Sequence, residues 1–271
     1  MYSVITSAKN PRIKQLLQLQ QKSSERRQTG LFVLEGKREL QHCVEAGYEV
    51  VELYICPELA GDAQASDYHW SLDSAKSPYP QPSIYTLPPA LYERVAYRGT
   101  TEGVIAVVRA RSIALEDLHL PENPLIIVLE RVEKPGNLGA ILRSADAAAA
   151  DAVVVCDPLT DLYNPNLIRS SIGAIFTVPC VATTSVECIS FLQENGIQIL
   201  TAQLQDSHPY YDTDMHCPTA IVMGTEATGL TDLWRQAATA HIRIPMLGRL
   251  DSLNVSVSTA ILLFEAVRQR Q

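Results

Sequence analysis

The chain has 271 residues, a formal net charge of −8 and 46% hydrophobic residues, enough for two domains that each bury a core. It contains no run of about eighteen apolar residues, and its first residues form neither a signal-peptide h-region nor an Arg- and Ser-rich transit sequence, so a cytoplasmic protein with no membrane span is expected. Six cysteines (43, 56, 156, 180, 188, 217) without a Cys-x-x-Cys pair, and six histidines without ligand spacing, argue against a zinc site, a disulfide framework or any metal.

Along the chain, the acidic total conceals one basic stretch: residues 1–40 hold eight basic side chains against three acidic ones. Pro11 to about Gln28 sets Ile13, Leu16, Leu17 and Leu19 on one side, with Lys14, Lys22, Arg26 and Arg27 outside. This predicts one basic amphipathic helix ended by Gly30, whose charged face is either simply solvated or a phosphate-binding surface. Leu31–Leu34 reads as a strand, Lys37–Gly47 as a helix closed by Gly47 and Val50–Cys56 as a strand, which is βαβ grammar. Residues 61–83, rich in Ser, Pro, Asp and Gln, read as a surface insertion. Strands follow at 84–87 and 103–108, and the polar segment 112–123, with Pro121 inside it and Pro124 after it, reads as a linker. The expected division is therefore a domain at 1–111, the linker at 112–123 and a second domain at 124–271.

From Leu125 onward strands (125–129, 152–156, 197–202, 220–224, 242–245) alternate with helices (137–150, around 165–172, 254–268), the pattern of a parallel α/β sheet. Three strand ends carry unusual loops. Leu125–Leu129 leads through a Pro-Gly turn into Gly136-Asn137-Leu138-Gly139-Ala140-Ile141-Leu142-Arg143. Ala220–Met223 leads into Gly224-Thr225-Glu226-Ala227-Thr228-Gly229-Leu230. The third, Ile244-Pro245-Met246-Leu247-Gly248-Arg249-Leu250-Asp251-Ser252-Leu253-Asn254-Val255-Ser256, turns at Gly248, where φ > 0 is permitted, into a helix capped by Ser252 or Asn254. Ligands of open α/β sheets sit where such loops converge, at the carboxyl ends of strands. None of the loops is G-x-G-x-x-G or ends in Gly-Lys-Ser/Thr, which weakens dinucleotide and ATP readings.

In this order the three loops resemble the signature motifs of SpoU/TrmH-type RNA 2′-O-ribose methyltransferases of the SPOUT superfamily. The matching positions are Asn137, Gly139 and Arg143; Gly224, Glu226, Gly229 and Leu230; and Ile244, Pro245, Gly248, Ser252, Leu253, Asn254 and Ser256. Ile5-Thr6-Ser7 with Asn10-Pro11, and Phe32-Val33-Leu34-Glu35-Gly36, resemble the family's small substrate-binding domain. The resemblance implies an α/β protein: a C-terminal SPOUT-type parallel sheet with a trefoil knot, preceded by a smaller L30e-like RNA-binding domain. It further implies S-adenosylmethionine as cofactor, held largely through the backbone at Gly224, Ile244, Met246 and Leu253. Catalysis falls to Arg143, Glu226, Ser252 and Asn254, and RNA contacts to Asn137, Arg169, Lys14, Lys22, Arg26 and Arg27. The RNA is ribosomal rather than transfer RNA, and the protein is a homodimer whose sites are completed across an interface involving the final helix. Apolar girth at Leu262, Leu263, Phe264 and Val267 agrees with such a partner.

A guanidinium such as that of Arg143 holds phosphate through two parallel bonds and stabilises developing alkoxide charge, although its pKa above about 12 makes it a poor literal base. Taken alone, it is also a plain surface arginine. Asn137 can cap its helix or touch RNA, and Glu226 is either a solvated turn carboxylate or a group that orients Arg143. Thr225 and Ala227 depart from the family's usual residues, and Ala150 stands where a left-handed glycine is common. The competing functions are a non-catalytic RNA-binding or ribosome-assembly factor, disfavoured by retention of Arg143, Glu226, Ser252 and Asn254, and a nucleotide-dependent oxidoreductase, disfavoured by the missing fingerprint.

Overall fold

The computed structural model describes residues 3–61, 78–97, 102–225, 228–249 and 252–271. Glu226, Ala227 and residues 62–77 of the expected insertion lie outside the described residues. In chain order the first elements are β1 (Ser3–Val4), α1 (Pro11–Gln21), α2 (Ser23–Thr29), β2 (Leu31–Glu35), α3 (Lys37–Glu45), β3 (Val50–Ile55), α4 (Pro57–Ala60), β4 (Ser83–Thr86), α5 (Pro89–Val95) and β5 (Val104–Arg109). There follow β6 (Leu125–Glu130), α6 (Pro135–Ala147), β7 (Ala152–Cys156), α7 (Pro165–Ser170), α8 (Ala174–Thr177), β8 (Cys180–Thr183) and α9 (Ser185–Glu194). The last are β9 (Gln198–Ala202), β10 (His208–Pro209), β11 (Thr219–Met223), α10 (Asp232–Ala237), β12 (Ala240–Arg243) and α11 (Val255–Arg270).

Two compact units result: Met1–Arg111 with Asp161–Thr177, and Ser112–Thr160 with Val178–Gln271. In the first, the strand order is β1-β4-β3-β5-β2. β5 lies between β2 and β3 and is antiparallel to both, so the two strands flanking α3 do not pair with each other. Residues 161–177 join this unit although they leave the chain between β7 and β8. Tyr163 stacks on the buried Phe32 with ring centroids 4.3 Å apart, and its hydroxyl donates to the Arg111 carbonyl at 2.5 Å.

The expected single basic helix is two helices. Lys22 sits in extended conformation (φ −117°, ψ 117°) between them. The cause is visible in the sequence of α2, which has no aliphatic residue to continue the buried stripe of Ile13, Leu16 and Leu19. Gly30 ends α2 in the left-handed region, as expected.

In the second unit the sheet order is β10-β12-β9-β11-β6-β7-β8, and every paired strand is parallel. β6, β7 and β11 are buried at every position, as central parallel strands covered on both faces must be. β6 and β11 are neighbours whose chains leave in opposite directions, toward β7 and toward β12. Ligands of open parallel sheets bind at such a switch point. The end of α11 is lashed to this sheet by Arg270, which donates to the carbonyls of Asn123, Met215 and Cys217 at 3.0, 2.9 and 2.7 Å. Among the described residues no helix is long and apolar enough to cross a membrane.

Candidate active site

The first loop leaves β6 and enters α6 with Pro135 at its first helical position, where a missing N–H costs nothing. Lys134 holds the cap position, so Asn137 lies in the first turn and is not the cap. Leu138, Ile141, Leu142 and Ala145 are the buried side of α6, which leaves Arg143 exposed. Arg143 forms no hydrogen bond or salt bridge among the described residues. After α6 the left-handed residue is Ala149 (φ 50°), not Ala150.

The second loop folds back on itself. Thr225 and Gly229 exchange backbone hydrogen bonds at 3.3 and 3.1 Å, and the Thr225 hydroxyl accepts from the Thr228 amide at 3.0 Å. Gly224 is dictated by close approach: a Cβ there would stand 2.4 Å from the Gly229 carbonyl carbon and 2.6 Å from the Leu230 nitrogen. The loop is anchored from behind by Glu130, a buried carboxylate at the end of β6. It accepts from the Thr231 amide at 2.8 Å and the Thr231 hydroxyl at 2.7 Å, fixing the start of α10. The sequence carries no hint of this clamp, since Glu130 looks like a strand-end carboxylate until Thr231 is brought to it.

The third loop leaves β12 and runs into α11. Asn254 is the cap: its Oδ1 accepts from the Ser256 amide at 3.0 Å and from the Ser256 hydroxyl at 2.5 Å. Ser252 is exposed. Gly248 does not adopt positive φ and has open space around it, so the turn there does not demand glycine. Asn254 Nδ2 donates to Asn137 Oδ1 at 3.1 Å, joining the first loop to the third across 117 residues.

A cleft of about 410 Å³ opens at the carboxyl ends of β9, β11 and β12. Gly224, Ile244, Met246, Ser252 and Leu253 all line it. A smaller cleft of about 120 Å³ is shared by Asn137, Gly224, Thr225 and Val255. The structure thus brings the proposed cofactor residues together and sets Asn137 and Asn254 beside them, while Arg143 lines neither cleft. Met223, Leu230, Ile244 and Leu253 offer apolar walls for a flat ring, and the loop backbone offers N–H and C=O groups to specify it. This set fits a nucleoside-bearing cofactor. Among the described residues no group of three or more His, Cys, Asp or Glu side chains is placed to hold a metal.

In the first unit, Lys14, Lys22 and Arg27 are exposed. Arg26 is not: it is 5% exposed, its Nε donates to Asp161 at 2.5 Å and its Nη1 to the Leu19 carbonyl at 2.6 Å. It is a buried ion pair and leaves the set of candidate RNA contacts. Arg169 lies near the carboxylates of Glu35 and Glu39 and favours their ionised forms. Burial outweighs it and pushes the Glu35 carboxyl above the ordinary range.

The second unit is a parallel α/β sheet whose strand-end loops form a cleft with room for a small ligand, without a dinucleotide or P-loop turn. Residues 124–264 match the model of the SpoU rRNA methylase family, and residues 10–106 match an MRM3-like substrate binding domain. The chain is 30% identical to a 23S rRNA (uridine(2479)-2'-O)-methyltransferase of Streptomyces viridochromogenes, over 97% of this chain and 92% of the relative. It is 40% identical to the 23S rRNA (guanosine-2'-O-)-methyltransferase RlmB of Photobacterium profundum, over 63% of this chain and 72% of the relative. Among solved structures, an AdoMet-bound rRNA methyltransferase from Sinorhizobium meliloti superposes with a TM-score of 0.89 at 27% identity, covering 100% of this chain and 99% of the other. The chain belongs to the SpoU rRNA methylase family.

Proposed function

We propose that this protein transfers a methyl group from S-adenosylmethionine to a ribose 2′-hydroxyl of ribosomal RNA. The observation that carries the proposal is one cleft lined by the loops after β11 and β12, to which the Asn137–Asn254 hydrogen bond ties the loop after β6. Relatives that bear 23S rRNA 2′-O-methyltransferase names, and solved AdoMet-bound relatives, support the substrate class and the cofactor. The cofactor supplies an electrophilic methyl on a sulfonium. Gly224, Ile244, Met246 and Leu253 hold it, with the apolar side chains as walls. The attacking oxygen must lose a proton and passes through partial alkoxide character; Arg143 is the group assigned to that charge and to the neighbouring phosphate. Ser252 and Asn254 position the third loop, and Glu226 is assigned to orient the substrate side.

Arg143 lies outside both clefts on an exposed helix face, which supports a homodimer in which one protomer's Arg143 serves the partner's cleft. Exposed Val257 and Phe264 on α11, each 47% accessible, with Leu253 beside the cleft, supply the apolar surface for that interface. Leu262 and Leu263, expected to contribute, are fully buried within the chain. Light scattering of active protein tests this: a mass of one chain would rule out a shared site. A knotted path of the α11 segment through the sheet and a cytoplasmic location belong to the same reading, as do phosphate contacts by Lys14, Lys22, Arg27 and Arg169.

The enzyme is tested with labelled S-adenosylmethionine and 23S rRNA, followed by alkaline hydrolysis. Label in alkali-resistant dinucleotides is expected. Label confined to transfer RNA would overturn the ribosomal assignment, and no transfer by folded protein to either RNA would favour a non-catalytic RNA-binding factor.

A further inference from the structure

Two polar atoms of residues lining the large cleft are buried and without a hydrogen-bond partner among the described residues: Gln203 Oε1 and Arg235 Nε. Buried polar atoms are rarely left so in folded proteins, because the lost hydration is not repaid. The two atoms are of opposite sense. Gln203 follows β9 and donates its Nε2 to the Gln205 carbonyl at 2.9 Å, which leaves Oε1 as an acceptor. Arg235, on α10, reaches the exposed Asp232 carboxylate only through Nη1, at 3.3 Å. Its Nε edge is a spare donor. The lining of this cleft includes the guanidinium groups of Arg235 and Arg243, which attract a negative group.

We propose that Arg235 and Gln203 read the amino-acid end of the cofactor. The Nε edge of Arg235 takes the α-carboxylate, where a guanidinium gives two parallel hydrogen bonds. Gln203 Oε1 accepts from the α-ammonium, which has three N–H groups and no acceptor of its own. The adenosine end is left to the loops after β11 and β12. The inference rests on the cofactor assignment above and deepens it: these two side chains make the cleft select a nucleoside that carries an α-amino acid.

Calorimetric titration of full-length protein with three ligands tests it: S-adenosylmethionine, its decarboxylated form, and 5′-methylthioadenosine, which lacks the amino-acid end. Arg235→Gln should weaken S-adenosylmethionine by about 10-fold or more, since bonds to charged groups are the strong ones, and leave the other two within about 2-fold. Gln203→Met should weaken both ligands that carry the ammonium by about 5-fold and spare 5′-methylthioadenosine. Equal loss for all three ligands would mean that the residues merely shape the loops, and overturns the proposal. So does an unchanged S-adenosylmethionine affinity in Arg235→Gln, whether or not RNA binding falls. Arg235→Lys, which keeps the charge but not the fork, replaces the glutamine variant if that variant does not fold: a loss confined to S-adenosylmethionine supports the assignment, and an unchanged affinity overturns it. Wild-type protein that binds none of the three ligands would instead overturn the cofactor reading itself.

Discussion

Arg26 and Arg143 both sit on helices, and they end in opposite environments. Arg143 follows the rule that a helix buries its apolar stripe and exposes the rest, because α6 packs through Leu138, Ile141, Leu142 and Ala145. Arg26 breaks that rule. The chain kinks at Lys22, α2 brings no aliphatic side chain of its own, and Asp161 arrives from 135 residues away to receive the guanidinium. The difference teaches that a charge pattern fixes which face of a helix is polar only where an apolar stripe exists to define the other face.

The largest expected effect tests the exposed member. Arg143→Ala should reduce methyl transfer to rRNA up to about 1,000-fold, the scale of losing a group that stabilises an oxyanion, with cofactor affinity and thermal stability unchanged. If Arg143→Ala unfolds the protein, the contrast with Arg26 is void. Arg26→Ala should do the reverse: a loss of about 3 kcal/mol in urea unfolding, because Asp161 is left half-buried without its partner. Neutralising Lys14, Lys22 and Arg27 together should leave that unfolding midpoint in place and reduce the slope of log affinity for RNA against log salt by about 2.

Gly224→Ala places a methyl against the Gly229 and Leu230 backbone, and a cost of about 2 kcal/mol is expected, with weaker cofactor binding in calorimetry. Asn254→Ala removes the cap of α11 and its bond to Asn137, and should cost about 1 kcal/mol in thermal unfolding. The smallest effect concerns Glu35, whose folded-state pKa is raised chiefly by burial. The folded state then binds a proton more readily than the unfolded one, so this carboxyl lowers stability as pH rises through its folded pKa. Glu35→Gln keeps an acceptor for the Tyr97 amide and should raise stability at neutral pH, with the gain disappearing as the pH falls to the ordinary glutamate range. A gain that grows on acidification would contradict the burial argument.

Where local rules govern, the sequence is legible. Pro135 at a helix start, Gly30 at a helix end and Asn254 as a cap all stand where backbone geometry requires such residues, and the hydrophobic runs of β6, β7 and β11 are the buried centre of the sheet. Strand-end loops of a parallel sheet share one edge by topology, so Gly224, Ile244, Met246, Ser252 and Leu253 group together from the order of strands and loops alone. β8 and α9 are absent from the sequence-based expectation although Thr184 and Glu187 form a reciprocal capping box, a signal legible in the residues themselves. Gly248 misleads in the other direction, since a glycine permits positive φ without requiring it.

The sequence by itself determined the central strands of the parallel sheet and the loops after β11 and β12 that line the cleft, because those depend on backbone preferences and on neighbours a few residues away. Only the tertiary structure decided the rest. Glu130 became a clamp when Thr231 came within hydrogen-bond distance, Arg26 became a core residue when Asp161 reached it, and residues 161–177 joined the first unit through Tyr163 and Phe32. Each of these depends on a partner more than 100 residues distant, and the free energy of a buried polar group is set by that partner and not by the residue itself.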